Sequence, residues 1–284
     1  MLKFSVIISI YEGNVPELLR SALDSLLSQT LLPEEIFIVA DGPVPALLEE
    51  EVQRLTFKVQ NLPQPLPEGK SVPEVTYLPL ERHGGLGEAM RRAVEVVKGE
   101  FIARMDADDI CLPDRFEKQM MCFEEEPTLS VVGGQIAEFD GDVKNITGRR
   151  VVPLGHDEIV KYMKSRNGMN HVTAIFKKAD LLDSGNYQPL EWFEDYYLWV
   201  KMIQHGCKFK NISDDVVLVR AGKAQADRRG GWAYFKNEVF LFKCLLSQGF
   251  ITKKRFCINI IERGFVRLLM TSSIRSWFYK SVLR

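Results

Sequence analysis

The stretch Phe101-Ile102-Ala103-Arg104-Met105-Asp106-Ala107-Asp108-Asp109 joins a mostly apolar run to a cluster of acids. The apolar part is typical of a buried strand, and three carboxylates follow it directly. Acids this close repel one another, so we expect a cation or hydrogen-bond donors opposite them. Carboxylate oxygens at this spacing suit Mg²⁺ or Mn²⁺ shared with a phosphate. The stretch therefore predicts a nucleotide site at a strand end, although an isolated acidic triplet is also compatible with a solvated turn.

Two periodicities alternate in the first hundred residues, which predicts an α/β fold with a mainly parallel sheet flanked by helices. A strand is expected over residues 3–10, and a helix follows, begun by Asn14 as its cap and ended by Pro33. The apolar run Ile36–Ala40 is typical of a strand buried on both faces. It also ends in an acid, Asp41, so a second strand is predicted to deliver a carboxylate to the same edge.

Residues 61–75 hold four prolines and a glycine, which predicts a long surface loop. A short strand, Thr76–Leu80, leads to Gly84-Gly85-Leu86-Gly87 and a helix that ends at Gly99. Gly85-x-Gly87 is an incomplete dinucleotide fingerprint, because the bulk of Met90 stands where a third small residue is needed. The backbone N–H groups of this turn could still face a phosphate. The remaining predicted elements are helices Arg115–Glu124, His156–Lys164 and Tyr196–His205 and strands Val131–Phe139, Val172–Phe176, Lys208–Ile212 and Val216–Arg220.

Taken in order, these segments resemble the family 2 glycosyltransferases, in particular bacterial members similar to those that build amylovoran, O-antigen and exopolysaccharide. The resemblance spans residues 3 to about 232 and implies a GT-A fold, which is a Rossmann-like arrangement. We accordingly expect a catalytic domain over 1–231 and a C-terminal helical extension over 232–284. The matching segments are Ser5–Tyr11, Ile38–Gly42, Gly85–Ala89, Ala103–Ile110, Asn170-His171, Gly185–Tyr187 and Glu194–Trp199.

The resemblance also implies roles for individual residues. Asp41 would recognise the nucleoside base, Asp106 would lie near the ribose, and Asp108 would bind Mn²⁺ or Mg²⁺, with Asp106 as a second metal ligand. Asp195 would be the base that deprotonates the acceptor hydroxyl, with Glu194 beside it, in a single displacement that inverts the anomeric centre. The other residues implied to bind the nucleotide sugar are Ser9, Tyr11, Glu12, Gly85, Ala107, His171, Arg228 and Arg229.

Several of these positions also have simpler structural interpretations. Asp195 could equally cap its helix, His171 could be a hydrogen-bonded residue at a strand start, and the pair Arg228–Arg229 could be solvated. Trp192 and Trp199 are candidates for stacking on a sugar or for the core. Two departures from the family pattern stand out in this sequence: Ala221-Gly222 replace a histidine that can ligate the metal, and Arg91 replaces an asparagine.

The composition excludes some classes of protein. The chain has 284 residues, a formal net charge of -1 and five cysteines without C-x-x-C spacing. Neither a nucleic-acid partner nor a disulfide framework is expected. No secretory leader or membrane-spanning run is evident, which favours a cytoplasmic location.

Residues 253–284 are the one basic region, with eight basic residues and a single acid among large apolar side chains. This pattern suits a helix lying in the surface of an anionic bilayer, on the inner face of the cell membrane. Packing on the catalytic domain or on a second subunit is an equal alternative.

The sequence therefore predicts an inverting, metal-dependent hexosyltransferase. Its donor would be a nucleotide-diphosphate sugar, with a UDP-sugar favoured, and its acceptor a saccharide or a lipid-linked oligosaccharide in bacterial surface polysaccharide biosynthesis. A sugar-nucleotide pyrophosphorylase and a non-catalytic subunit of a polysaccharide assembly complex are the alternatives. The first of these would need a Gly-rich, Arg-containing loop after the first strand, where this chain has Tyr11-Glu12-Gly13-Asn14.

Overall fold

The structure, a computed structural model, describes residues 2–62, 72–221 and 230–270. Within these ranges nine strands form one sheet. They are β1 (Phe4–Ile10), β2 (Glu35–Ala40), β3 (Glu74–Pro79), β4 (Phe101–Asp106), β5 (Ile110–Cys111), β6 (Leu129–Phe139), β7 (Ile146–Arg150), β8 (Ile175–Lys177) and β9 (Lys208–Arg220).

The strand order is β3-β2-β1-β4-β8-β6-β9-β5, and β7 pairs with β6 outside this path. Strands β1 to β4 are mutually parallel, as are β6 and β9, whereas β8 runs antiparallel to both of its neighbours. The mainly parallel sheet that was expected in the first half of the chain is confirmed. The second half is mixed, with antiparallel pairs at β5 and β7.

Helices cover both faces of the sheet, because the strands in its centre are apolar on both sides. One core cluster includes Leu19, Leu48 and Phe116, and the other includes Ala89 and Trp199. The helices are α1 (Pro16–Leu27), α2 (Ala46–Gln60), α3 (Leu86–Val96), α4 (Arg115–Glu125), α5 (His156–Tyr162), α6 (Lys178–Asp183), α7 (Glu194–Gln204), α8 (Trp232–Ser247) and α9 (Lys253–Gly264), with a 3₁₀ turn at His171–Thr173 and a π-helical turn at Phe265–Leu269.

The acid run Asp106–Asp109 connects two strands that are far apart in the sheet order. Three strands separate β4 from β5, which in a flat sheet is four spacings, or about 19 Å. The link from Asp106 to Ile110 contains four Cα steps and spans at most about 14 Å. The sheet must therefore curl, and the acid run lies across the opening of the curl.

Several local predictions were wrong. Helix α1 begins at Pro16, with Val15 as its N-cap residue, and ends at Leu27. The Asn14 side chain does not cap the helix, because it accepts the backbone N–H of Tyr11 (2.8 Å). Helix α2 was missed altogether. The two strands predicted over 208–220 are one strand, β9, which continues through Asp214 and Asp215.

Helices α8 and α9 pack on the part of the chain that precedes them. Arg263 and Arg267 are buried around the carboxylate of Glu238, at 3.3 and 3.0 Å. The side chain of Asn259 donates to the carbonyl of Lys164 (2.9 Å). Two of the basic residues predicted to face a membrane are thus internal, and residues 271–284 of that basic region lie outside the described residues. Within the described ranges, each helix is too short or too polar for a bilayer span.

Candidate active site

The carboxyl ends of β1, β2 and β4 meet at one edge of the sheet. The register places Ser9 opposite both Val39 and Asp106, and the backbone N–H of Asp41 donates to the carbonyl of Ile10 (2.8 Å). Tyr11 and Glu12 follow β1 directly and are exposed. The structure therefore brings the predicted residues of the first three strand ends together, because parallel strands deliver their carboxyl ends to the same edge.

Asp41 is buried, and backbone donors at the start of α3 hold its carboxylate. Its two oxygens accept the N–H groups of Gly84 (2.7 Å) and Gly85 (2.9 Å), and His83 Nδ1 lies 2.8 Å from Oδ2. A phosphate was one possible acceptor for the N–H groups of this turn, and the structure shows those of Gly84 and Gly85 directed at Asp41. Gly85 has φ +84 and open space where a Cβ would stand, so only a residue without a side chain occupies this turn without strain.

A buried arginine compensates part of the negative charge of the acid run. Arg104, two residues before Asp106 on the same side of β4, pairs with both carboxylate oxygens of Asp106. Burial and the charge of Asp106 raise the pKa of Asp108, and they raise the pKa of Asp109 further. The carboxylate of Asp109 accepts the backbone N–H of Arg220 (2.8 Å). The cation expected opposite the acids is thus supplied in part by the protein itself.

The donor set fits a divalent ion held largely by its substrate. Among the described residues no three acidic, histidine or cysteine side chains converge as a complete cage. Asp108 is half-buried, whereas Arg104 engages both oxygens of Asp106. Mg²⁺ and Mn²⁺ sites that contain one or two carboxylates and take further oxygens from phosphates have this form.

The second acid pair, Glu194–Asp195, opens α7. Phe193 is the N-cap residue, so Asp195 does not cap the helix. The two oxygens of Asp195 accept the backbone N–H of Tyr196 (2.6 Å) and the side-chain amide of Asn167 (2.7 Å). Arg150 is near enough for its charge to lower the pKa of Asp195. The carboxylate is therefore fixed in orientation by donors from two separate segments.

The environment of this pair disfavours ionisation. Burial and the neighbouring Asp195 raise the pKa of Glu194 to about 7, and burial raises that of Asp195. The charge of Asp106 also raises the pKa of Glu194, so the two acid groups lie within electrostatic reach of each other. Perturbed carboxyl groups in a shared cleft are typical of sites that move protons.

His171 contacts Tyr187 and Trp199 and lies within electrostatic reach of Arg104. Its Nε2 is 2.8 Å from the hydroxyl of Tyr187, and its ring meets Trp199 edge to face at 5.8 Å. Burial, followed by the charge of Arg104, lowers the pKa of His171 well below its ordinary value, so its imidazole is neutral. Trp199 is fully buried and therefore belongs to the core, whereas Trp192 is exposed.

Other predicted residues have different outcomes. Arg228 and Arg229 lie outside the described residues. Arg91 makes ion pairs with Glu88 and Glu95 on its own helix. Ala107 is buried inside the acid run.

Four residues that contact the site were not among the predicted site residues: Arg104, Asn167, Tyr187 and Arg220. A sequence signal exists for Arg104, because an arginine inside an apolar strand needs a partner. The sequence around Asn167 gives no comparable signal, because Asn167 is 28 residues from Asp195 in sequence and only the folded chain brings the two side chains together.

Comparison with known proteins supplies the family. A family model described as glycosyl transferase family 2 matches residues 5–181. The chain belongs to glycosyltransferase family 2. It is 37% identical over 269 residues to the amylovoran biosynthesis glycosyltransferase AmsE of Erwinia amylovora, covering 94% of each chain. It is 31% identical over 288 residues to the UDP-Gal:alpha-D-GlcNAc-diphosphoundecaprenol beta-1,3-galactosyltransferase of Escherichia coli, covering 99% of this chain and 97% of the relative.

The fold agrees with that of solved glycosyltransferases. The mannosyltransferase PcManGT from Pyrobaculum calidifontis, in complex with GDP-Man and Mn²⁺, superposes with a TM-score of 0.63 at 16% identity. The match covers 99% of this chain and 75% of that one. The expected GT-A fold is confirmed, and membership of this family favours the transferase over a pyrophosphorylase.

Proposed function

We propose that this enzyme is an inverting, metal-dependent transferase that moves a hexose from a UDP-sugar to a saccharide or lipid-linked acceptor in bacterial surface polysaccharide biosynthesis. One observation carries the proposal: the acid run at the end of β4 and the Glu194–Asp195 pair at the start of α7 lie within electrostatic reach of each other. Two acid groups with different donors and different pKa shifts suit two tasks, one at the leaving diphosphate and one at the attacking hydroxyl. Residues 1–231 would form the catalytic domain and 232–284 its helical extension.

The donor would lie along the carboxyl ends of β1, β2 and β4. Asp41 would accept from the base, while Ser9, Tyr11, Glu12, Gly85 and Ala107 would line the nucleotide. Asp108, with Asp106, would hold Mn²⁺ or Mg²⁺, and this ion would neutralise charge on the departing diphosphate. His171 would form part of the wall between donor and acceptor, and Arg228 and Arg229 would supply further cations to the diphosphate.

The acceptor would be activated by Asp195. Its carboxylate takes the proton of the acceptor hydroxyl while that oxygen attacks C1 of the sugar from the face opposite the diphosphate. The bond from C1 to the phosphate oxygen breaks, and its electron pair leaves with the diphosphate, so the anomeric configuration inverts. The hydrogen bonds from Asn167 and the Tyr196 N–H favour the ionised, proton-accepting form of Asp195 that this step needs, and they oppose the burial that raises its pKa.

The relatives support the choice of substrates. The Escherichia coli relative is named for a UDP-galactose donor and a diphosphoundecaprenol-linked acceptor. An acceptor anchored in lipid favours a location on the inner face of the cell membrane, with peripheral contact through residues 253–284. Ile261 and Phe265 on this segment are exposed, as are Lys253 and Lys254. Co-sedimentation with phosphatidylglycerol vesicles but not with phosphatidylcholine vesicles would support this contact. Failure to co-sediment with either kind of vesicle would contradict it.

A thermal-shift screen tests the donor assignment. UDP-, GDP- and dTDP-linked monosaccharides are added with and without Mn²⁺, because a ligand that binds only the folded state raises the melting temperature. We expect a UDP-sugar to give the largest shift, with Mn²⁺ increasing it. The absence of any shift with every donor would contradict the proposal.

Two variants test the catalytic assignment. Asp108→Ala and Asp195→Asn should each abolish transfer while leaving the chain folded, and Asp195→Asn should retain donor binding. Full turnover by either variant would show that its role is wrong. Slow hydrolysis of the donor by the unaltered protein would exclude a non-catalytic subunit.

A further inference from the structure

Trp192 has a backbone conformation that bulky residues rarely adopt. Its φ is +68, and among the described residues Asn186 is the other non-glycine residue with a positive φ. Asparagine tolerates this region, whereas tryptophan is strained in it. Strained residues of this kind persist only where the surrounding structure holds them, and they are concentrated at functional sites.

The C-terminal helices hold the Trp192 ring in place. The indole stacks on Tyr234 of α8, with 5.2 Å between ring centroids and 27° between planes. Phe193 meets Tyr234 edge to face at 4.9 Å, and the Arg267 guanidinium lies 4.6 Å from the centre of the Tyr234 ring. Arg267 is in turn paired with the buried Glu238. The ring therefore rests on a rigid stack that continues into the interior.

This arrangement leaves a flat aromatic surface exposed. Tyr234 is only 8% exposed beneath Trp192, Phe193 and Arg267, yet Trp192 itself is 40% exposed. Because one face of the indole lies on Tyr234, a ligand would stack on the opposite face. An indole offers a rigid apolar surface with a polar N–H at its rim. The apolar face of a pyranose, formed by its axial C–H groups, is complementary to such a surface.

The position of Trp192 relates it to the acceptor and not to the donor. It lies two residues before Glu194, at the start of α7, whereas the nucleotide residues follow β1, β2 and β4. Trp192 and Tyr234 also lie beyond residues 5–181, the part of the chain that matches the family model. This surface is thus built by residues outside the part of the chain that the family model matches.

We propose that Trp192 is a stacking platform for a pyranose ring of the acceptor saccharide. This inference rests on the proposed function, in which Asp195 activates the acceptor hydroxyl. It assigns the C-terminal helices a part in acceptor recognition, because Tyr234 and Arg267 support the platform.

The test uses steady-state kinetics with the full chain. The donor is the nucleotide sugar that gives the largest thermal shift. The acceptors are a panel of pyranose-terminated oligosaccharides, both free and linked through a diphosphate to a short alkyl chain. Trp192→Ala and Trp192→Gly should raise the KM for the acceptor roughly tenfold, with the KM for the donor changed less than about twofold. Trp192→Tyr, which retains an aromatic face, should restore the acceptor KM to within about threefold of the original value.

Two further comparisons exclude a general loss of structure. Glycine adopts φ +68 without strain, so Trp192→Gly should melt within about 3 °C of the unaltered protein despite losing the stack. Trp232→Ala is the matched control, because this indole is 67% exposed on α8 and its ring meets that of Phe235. It should leave the acceptor KM unchanged.

The outcomes separate the two proposals. An unchanged acceptor KM in Trp192→Ala, or equal changes in the donor and acceptor KM, would overturn the platform while the proposed function stands. A protein that hydrolyses the donor but neither uses nor binds any saccharide of the panel would also overturn the platform. Inertness toward every nucleotide sugar would instead overturn the proposed function, and the platform with it.

Discussion

Glu194 remains protonated at pH values where an ordinary glutamate is ionised. Its pKa is raised from 4.5 to about 7 by burial and by Asp195, so the folded chain binds a proton that the unfolded chain releases. Stability therefore falls as the pH rises from about 4.5 to about 7. Glu194→Gln removes this cost and should raise the free energy of unfolding at pH 8 by on the order of 1–3 kcal/mol. The melting temperatures of the variant and the unaltered protein are compared at pH 5 and at pH 8. The difference between the two proteins should be smaller at pH 5.

The control for Glu194→Gln is Glu191→Gln at an exposed position three residues earlier. It should change the melting temperature equally at both pH values. A Glu194→Gln effect that does not depend on pH would contradict the account.

Arg104 is a buried cation whose removal should destabilise the chain. Its guanidinium pairs with Asp106, and its charge lowers the pKa of both Asp108 and Asp109. Arg104→Met fills a similar volume but leaves the acids without this cation, which should cost about 3–5 kcal/mol at pH 7. The cost should fall at lower pH, where Asp108 and Asp109 take up protons. Urea denaturation at pH 5 and pH 7 measures both effects.

Arg92→Met provides the comparison for Arg104→Met. Arg92 pairs with Glu88 on the surface of α3, where an ion pair contributes less than about 1 kcal/mol. Equal losses in the two arginine variants would show that the location of Arg104 beneath the acids is unimportant.

Helices α3 and α7 approach each other at a glycine. A Cβ on Gly87 would lie 3.2 Å from the Cβ of Glu194, which is tighter than an ordinary contact. Gly87→Ala improves helix propensity by up to about 1 kcal/mol but must displace Glu194. We expect a small change in melting temperature and at least a tenfold fall in transfer rate, because misplaced catalytic groups lose activity steeply. Gly264→Ala is the control, since its Cβ would meet Phe235 at an ordinary 3.5 Å.

The elements that sequence analysis located correctly are those whose signal is local. The buried strands β1, β2 and β4 are mostly apolar runs, and the helix after Gly85 has a clear apolar stripe. Helix α2 was missed although Leu48, Val52, Leu55 and Val59 recur at helical spacing and are buried. Its many charged residues fall between these positions and obscured the pattern.

Non-local pairing accounts for the elements that could not be predicted. Strand β9 continues through two acids because Asp214 pairs with Lys118 and Asp215 with Arg149, partners distant in sequence. Register shifts in the pairing of β6 with β9 accommodate the irregularity. The same limit applies to the site. The strand-end acids were visible in the sequence, whereas the contacts of Asp195 with Asn167 and of Trp192 with Tyr234 arise only from the fold.

At the scale of the whole molecule, Glu238 connects the C-terminal helices to one another. Its buried carboxylate lies between Arg263 and Arg267, and Arg263 also donates to the carbonyl of Ser165 (2.7 Å). Glu238→Gln leaves two buried guanidiniums short of a counter-charge, at a cost of about 3–5 kcal/mol. Hydrogen exchange should show that α8 and α9 open more readily while β1 to β4 keep their protection. Glu262→Gln, at an exposed position 3.9 Å from Arg255, should leave the exchange unchanged.

The position of Asp109 restricts the length of the acid run. Four Cα steps join two strands that the sheet order separates by three others. Asp109 within this link is buried and accepts the backbone N–H of Arg220, so an added residue would move its carboxylate away from that donor. An insertional scan of the gene should therefore find that even a single added alanine between Asp106 and Ile110 is not tolerated. Exposed turns such as the one at Gly141, where no atom lies within 4 Å of a Cβ, should accept the same insertion. Exposed loops of this enzyme can therefore differ in length between related sequences. The acid run can differ only by substitution.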